Sequence, residues 1–290
     1  ARDKAAFSIP LNRIPSPMKF GICQWSLPLE GPYACTVAQR LGLEGIQLDM
    51  GTWERGLALS RPAVREAWLE MAGQTGIQFP SIATTLADYF DLTAPDGSED
   101  RTIVLHAFDK AVEAAVHMGV GMIMTPTFEK SAVRNEEEFG QLVSFLQYAC
   151  DRTGEHGLTM ATENPLSAAD TLRLFREVDR ANLRLYFDTQ NYFLHLDADS
   201  AALIRELHGL FGDQLHVKDG RNKDLSGALL GEGDSGFAAS ATALHEVGYD
   251  GWIILENYYD REPLRAEDDD PEELIRRDLA IARETFAPAR

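Results

Sequence analysis

The chain has few cysteines, few basic residues and no long apolar segment. Its 290 residues include three cysteines, Cys23, Cys35 and Cys150, which form no CxxC pair and no zinc-like spacing. Three is a small and odd number of cysteines, which argues against a disulfide scaffold and predicts a reducing, cytoplasmic location. A targeting segment could still have been removed from the N-terminus. No apolar run approaches the roughly 20 residues that a membrane-spanning helix needs.

The net charge of the chain argues against two classes of partner, nucleic acid and anionic lipid. Lysines and arginines number 27 against 46 aspartates and glutamates, which gives a formal net charge of −19. Binding to nucleic acid or to anionic lipid needs an excess of basic residues, so neither partner is expected. A hydrophobic content of 44% and a charged content of 25% are typical of ordered globular proteins.

One unit recurs from Met18 onward: a short apolar run and then a polar stretch with helical periodicity. The predicted strands are Met18–Cys23, Gly45–Met50, Phe79–Thr84, Val120–Pro126, Leu158–Asn164, Leu183–Thr189, Gln214–Asp219 and Gly251–Asn257. Eight apolar strands that alternate with helices predict an α/β fold, a single (β/α)₈ TIM barrel over residues 18–290. A doubly wound open sheet is the rival. Residues 1–17, with three prolines and no periodicity, predict an extended N-terminal arm.

Four consecutive predicted strands carry a metal-binding residue at or near their carboxyl ends. These residues are Glu163, Asp188, His216 and Glu256. Because the strands of a (β/α)₈ barrel end around one mouth, the four side chains are expected to meet there. Three carboxylates and one imidazole form an oxygen-rich set that would repel itself without a cation. We therefore predict one divalent metal ion, with Mn²⁺ preferred and Mg²⁺, Co²⁺ or Zn²⁺ as alternatives.

The segment that contains these residues resembles the xylose isomerase-like TIM barrels, a sugar isomerase and epimerase superfamily. Its members include D-tagatose/D-psicose 3-epimerases and inosose isomerases and dehydratases. The four residues match the metal positions of that family, and the resemblance implies that Arg221 contacts the substrate. It also implies a small-molecule carbohydrate as substrate and a homodimer or homotetramer as the assembly.

Two positions depart from the ketose epimerases within this family. Ala169 stands where those enzymes carry a second glutamate, and Asn191 stands where they carry a histidine. The residues that orient the substrate therefore differ, which argues against a free ketohexose. No phosphate-binding signature is evident, so a non-phosphorylated substrate is preferred.

The resemblance and the residue types together suggest a mechanism. Glu163 and Glu256 are expected to face each other across a substrate carbon, one removing a proton and the other returning it, through a metal-bound enediolate. Lys218 lies two residues after His216 and so points to the same side of the strand. It is expected either to act on a substrate oxygen or to pair with a ligand carboxylate.

Three further residues are expected to line the substrate pocket. They are Trp25 after the first strand, Phe128 after the fourth and Asn191 after the sixth. The predicted activity is a metal-dependent sugar isomerase or epimerase of carbohydrate metabolism. The alternatives are a metal-dependent lyase, inosose-dehydratase-like or cleaving a 3-keto-glycoside, and a sugar-binding barrel without activity. The GxGxxG match at Gly231–Gly236 follows no strand directly and carries two acidic residues, which argues against a nucleotide site.

Overall fold

The strands form a closed barrel in the order of the chain. The computed structural model describes residues 18–287, so the predicted arm of residues 1–17 lies outside the described residues. The strands are β1 (Lys19–Cys23), β2 (Gly45–Asp49), β3 (Ile82–Ala83), β4 (Met122–Pro126), β5 (Thr159–Glu163), β6 (Leu183–Asp188), β7 (Phe211–Val217) and β8 (Trp252–Leu255). Each pairs in parallel with the next, and β8 pairs with β1. The single (β/α)₈ barrel is confirmed, and the open sheet is wrong.

The helices surround the barrel. Within residues 18–287 they are α1 (Ala34–Leu41), α2 (Pro62–Thr75), α3 (Glu99–Met118), α4 (Glu136–Gly154), α5 (Ala168–Val178), α6 (Asn191–Leu196), α7 (Ser200–Leu207), α8 (Phe237–Glu246) and α9 (Pro271–Thr285). Helix α3 shows how the sequence sets their ends: the Ser98 side chain accepts from the Arg101 N–H, and Gly119 closes the helix at φ +68°. None of the helices in the described range has the length and apolar character needed to cross a membrane.

Strand β3 is shorter than the sequence predicts. The apolar pattern predicts a strand over Phe79–Thr84, whereas the structure has only Ile82–Ala83. Pro80 lies in the first half of the predicted strand and has no backbone N–H to donate. The two remaining residues still pair with both β2 and β4, so the barrel stays closed.

The loop between β7 and α8 folds around the carboxylate of Asp219. That carboxylate accepts backbone N–H groups from Gly220, Gly231, Gly233 and Ser235, and also the Ser235 hydroxyl. An added Cβ at Gly233 would lie 2.1 Å from Asp219 Oδ1, so glycine is required there. The N–H groups of the GxGxxG-like segment thus bind a carboxylate of the chain itself.

Helix α9 is joined to two loops at the barrel mouth by one buried carboxylate, Asp278. Its Oδ1 accepts the Leu230 N–H at 2.8 Å, and its Oδ2 accepts Asn257 Nδ2 at 2.7 Å and the Tyr259 hydroxyl at 2.8 Å. Burial raises the pKa of Asp278 to about 7, although these hydrogen bonds oppose the rise.

We expect Asp278→Asn to lower the free energy of unfolding by about 1–3 kcal/mol at pH 5, because the new amide nitrogen meets the Asn257 donor. The cost should shrink by pH 8. Native Asp278 keeps its proton up to a pKa of about 7, whereas the unfolded chain releases it near about 4. Between these two pKa values the native state holds more protons than the unfolded chain, so the stability of the wild type falls as the pH rises. The new amide carries no such proton, so the variant does not show this fall. Urea unfolding of both proteins at both pH values measures this; a gap that widens with pH would contradict it.

Candidate active site at the mouth of the barrel

Four successive strands bring four buried ligands to one place. Glu163 ends β5, Asp188 ends β6, His216 lies near the end of β7, and Glu256 follows β8 directly. Each offers one ligand atom, and these atoms all lie within 4.8 Å of one another. All four side chains are buried, with at most 6% of any residue exposed. The structure thus assembles the same four residues that strand-end position selects in the sequence.

His216 lies between the two glutamates. Its Nδ1 is 3.2 Å from Glu163 Oε1 and 3.2 Å from Glu256 Oε2. Burial lowers the pKa of His216, but the charges of Glu256 and Glu163 outweigh that effect and raise it overall. The other ring nitrogen, Nε2, is 2.6 Å from Oε1 of Gln47 on the far side of the barrel.

Lys218 places a buried positive charge beside the carboxylates. Its Nζ donates to Glu256 Oε2 at 2.6 Å and lies 3.4 Å from Asp188 Oδ2. Burial lowers the pKa of Lys218, but the neighbouring carboxylates raise it well above its usual value. Burial also raises the pKa of Glu256, yet His216 and Lys218 lower it overall. The structure therefore has the pairing with a ligand carboxylate, one of the two roles expected of Lys218.

Asp188 carries the clearest sign that the site fits a cation. Its Oδ1 accepts the backbone N–H groups of Gln190 at 2.8 Å and Asn191 at 2.6 Å. Its Oδ2 is buried and accepts no hydrogen bond, and it lies 3.4 Å from the Lys218 ammonium. Burial raises the pKa of Asp188 to about 6, against the opposing charge of Lys218. Burying a carboxylate oxygen without a hydrogen bond costs free energy. A hard divalent cation is a partner that would satisfy such an oxygen.

Two of the residues expected to contact the substrate donate hydrogen bonds to the glutamates, and their contact with substrate stays a prediction. Trp25 Nε1 donates to Glu256 Oε1 at 3.2 Å, and Asn191 Nδ2 donates to Glu163 Oε1 at 2.9 Å. The third, Phe128, stacks on His195 at a ring-centroid distance of 5.4 Å. Each glutamate therefore has its own neutral donor in addition to the shared imidazole.

Arg221 donates to the chain's own carboxylates. Its Nη2 donates to Glu232 Oε2 at 2.7 Å, its Nη1 donates to Glu267 Oε1 at 3.0 Å, and its Nε donates to the Glu232 carbonyl at 2.8 Å. The guanidinium is partly exposed and ties the loop after β7 to the loop after β8. Substrate contact by Arg221 stays a prediction.

Sequence reasoning did not select Gln47 or Asp88. Gln47 is a fully buried polar residue in the apolar strand β2, and that contrast is a signal that could have found it. Asp88 ends a short 3₁₀ helix (Thr85–Asp88) after β3, where an aspartate is unremarkable by pattern. Its Oδ1 is buried without a donor. Burial and then the charge of Glu163 raise the pKa of Asp88 to about 7.

Comparison with known proteins gives consistent matches. The family model described as "Xylose isomerase-like TIM barrel" matches residues 35–285. A 2-epi-5-epi-valiolone 7-phosphate 2-epimerase from an Actinoplanes species is 29% identical over 242 residues, which cover 83% of this chain and 87% of that protein.

Two crystal structures show the same fold. D-psicose 3-epimerase with D-tagatose, from Clostridium cellulolyticum H10, superposes with a TM-score of 0.75 at 16% identity, covering 93% of this chain and 99% of that one. The IOLI protein with a bound zinc atom superposes with a TM-score of 0.73 at 16% identity, covering 93% and 98%.

Proposed function

Because the chain belongs to the xylose isomerase-like TIM barrel family, we propose that it is a metal-dependent isomerase or epimerase of a keto-sugar or a polyol-derived ketone. The observation that carries the proposal is the buried cluster of Glu163, Asp188, His216 and Glu256, whose ligand atoms lie within 4.8 Å of one another. The relative named as a 2-epimerase supports the reaction class.

The four clustered residues would hold one divalent cation, and Mn²⁺ is our first choice among Mn²⁺, Mg²⁺, Co²⁺ and Zn²⁺. Three carboxylates and one imidazole are hard or borderline ligands that suit these ions. When bound, such an ion polarises a substrate carbonyl and makes the neighbouring C–H bond more acidic. The zinc atom in the IOLI structure supports a metal in a barrel of this shape.

The two glutamates supply the proton transfers. The pKa of Glu256 is lowered because His216 and Lys218 outweigh its burial, so the carboxylate is charged and ready to accept a proton. The Asn191 amide holds Glu163 in place from the other side of His216. If one carboxylate removes a proton from the carbon beside the carbonyl, the other returns one to the opposite face. Return to the same carbon gives an epimer, and return to its neighbour gives an isomer.

The relative above is named for a 7-phosphate, whereas we prefer a non-phosphorylated substrate for this chain, because the cations at the barrel mouth are already paired. Arg221 faces the carboxylates of Glu232 and Glu267, and Lys223 donates to Asp197. These cations are already matched by the chain, so a phosphate would have to displace a carboxylate to reach them. Phe128, stacked on His195, offers an apolar surface for a sugar ring.

The test combines metal content with isotope exchange. We expect purified protein to contain one divalent ion per chain, to lose turnover after dialysis against a chelator, and to recover it with Mn²⁺. In D₂O, deuterium should enter an accepted keto-sugar or inosose at the carbon beside the carbonyl, as NMR would show. Loss of water from the substrate would mark the lyase reaction instead. Two results would contradict the proposal. One is protein that takes up no metal after reconstitution; the other is metal-loaded protein that introduces no deuterium into any of the keto-sugars and inososes tested.

A further inference from the structure

A cavity of about 240 Å³ lies at the end of the barrel opposite the metal cluster. It is lined by residues at or near the starts of β4, β5, β6 and β7, namely Met122, Thr159, Arg184 and Phe211. Strand starts form the N-terminal face of a barrel, where catalytic residues are not expected. Pockets for drug-sized ligands begin at about 300 Å³, so this cavity suits a molecule of only a few carbon atoms.

A bulge in β7 makes room for the cavity. Between the two pairs that flank the bulge, β7 advances by four residues while β6 advances by two. The extra residues lie within Gly212–Gln214, which line the cavity. An added Cβ at Gly212 would lie 3.0 Å from Met122 Cε and 3.5 Å from Arg184 Cβ, so a side chain there would crowd the cavity. Bulges at the rim of a barrel often direct side chains toward a site.

The amide of Gln214 leaves one buried acceptor unsatisfied. Only 2% of the residue is exposed. Its Nε2 donates to the Pro80 carbonyl at 2.8 Å and lies 3.5 Å from Asp213 Oδ1. Both of these partners are acceptors, so an amide turned end for end would oppose oxygen to oxygen. The Oε1 atom therefore stays without a donor, and a buried acceptor of this kind costs free energy until a donor reaches it.

One positive and one negative side chain flank this acceptor. Arg184, on β6, donates from Nη1 to the carbonyl oxygens of Ala181 at 2.9 Å and Leu183 at 2.7 Å. Both acceptors are neutral, so within residues 18–287 the guanidinium has no carboxylate partner. Asp213, on β7, is exposed and lies beside the Gln214 amide. The cation is thus on the β6 side of the cavity, and the two acceptors are on the β7 side.

We propose that this cavity binds a small amino carboxylate, a zwitterion of the size of glycine or β-alanine. Its carboxylate accepts hydrogen bonds from the Arg184 guanidinium, which suits planar oxyanions. Its ammonium donates to Gln214 Oε1 and faces the Asp213 carboxylate, which satisfies the buried acceptor. A simple carboxylate or a simple amine would match only one of the two charges.

The test is a titration of metal-free protein, because amino carboxylates also chelate divalent ions. Saturation-transfer NMR would follow glycine, β-alanine and 4-aminobutyrate, and we expect at least one to bind with a Kd of about 10 mM or below. Propionate lacks the ammonium and trimethylglycine lacks the N–H, so both should bind at least about 10-fold more weakly. Equal binding of either compound overturns the proposal, and so does a lack of binding by all three amino carboxylates.

Variants locate the binding. Arg184→Met should weaken it by about 10- to 100-fold and Gln214→Met by about 10-fold. Asp213→Asn changes an exposed residue and should weaken binding by at most about 5-fold. Arg205→Met is the matched control, because Arg205 is an exposed arginine of α7 that pairs with Glu246; it should leave binding unchanged. Urea unfolding shows which variants are folded, and wild-type affinity in folded Arg184→Met or folded Gln214→Met overturns the proposal.

Discussion

Glu256→Gln is expected to slow deuterium exchange at the substrate carbon by about 10²–10⁴-fold, the usual contribution of a general base. The wild-type carboxylate is held at one oxygen by Trp25 at 3.2 Å and at the other by Lys218 at 2.6 Å. An amide has nearly the same shape but cannot accept the proton, and its NH₂ group would face the Lys218 ammonium or the Trp25 N–H. The rate of deuterium incorporation, followed by NMR at saturating substrate, measures this loss.

Loss of the base must be separated from loss of metal, because Glu256 belongs to both groups. We therefore expect the exchange defect to persist when Mn²⁺ is raised until the variant is saturated. Glu129→Gln is the matched control, because Glu129 is an exposed glutamate on the loop after β4 and lies outside the cluster. It removes the same charge and should leave exchange within about 3-fold of the wild type. Wild-type exchange in metal-saturated Glu256→Gln would assign the base to another residue.

Lys218→Met is expected to lower the free energy of unfolding of the metal-free protein by about 3–5 kcal/mol, the cost of breaking a buried ion pair from one side. Only 4% of Lys218 is exposed, and its ammonium lies between Glu256 and Asp188. Without it, three buried carboxylates keep only His216 as a positive partner among the cluster residues. The variant leaves Glu256 without its shortest hydrogen bond and Asp188 without the ammonium that lies 3.4 Å from its Oδ2.

A dication supplies charge to the same carboxylates, so Mn²⁺ should recover much of this loss. Urea unfolding with chelator and then with excess Mn²⁺ measures both effects. Lys130→Met serves as the control, because Lys130 is exposed and lies 3.7 Å from Asp100. An exposed pair of this kind contributes at most about 1 kcal/mol. Equal losses in Lys218→Met with and without Mn²⁺ would show that the lysine stabilises packing and not the charge of the cluster.

The sequence alone was sufficient for the fold and for the metal-ligand candidates. Both depend on local pattern: apolar strands covered on both sides, alternation with helices, and the position of Glu163, Asp188, His216 and Glu256 near strand ends. In a parallel barrel every strand ends around one mouth, so position along a strand already implies proximity in space. The exact strand ends depend also on individual residues. Strand β3 begins only at Ile82, after Pro80, which has no backbone N–H to donate.

The partners of each side chain were decided only by the tertiary structure. Gln47 and His216 are 169 positions apart, and their contact at 2.6 Å depends on the diameter of the closed barrel. Arg221 pairs with Glu232 and Glu267, which no sequence pattern marks as its partners. For Lys218 the sequence left two roles open, and the structure pairs it with Glu256. Hydrogen bonds and ion pairs form over about 3 Å, and strand pattern fixes positions only to within a residue. The hydrogen bonds and ion pairs of the site therefore form only when the barrel closes.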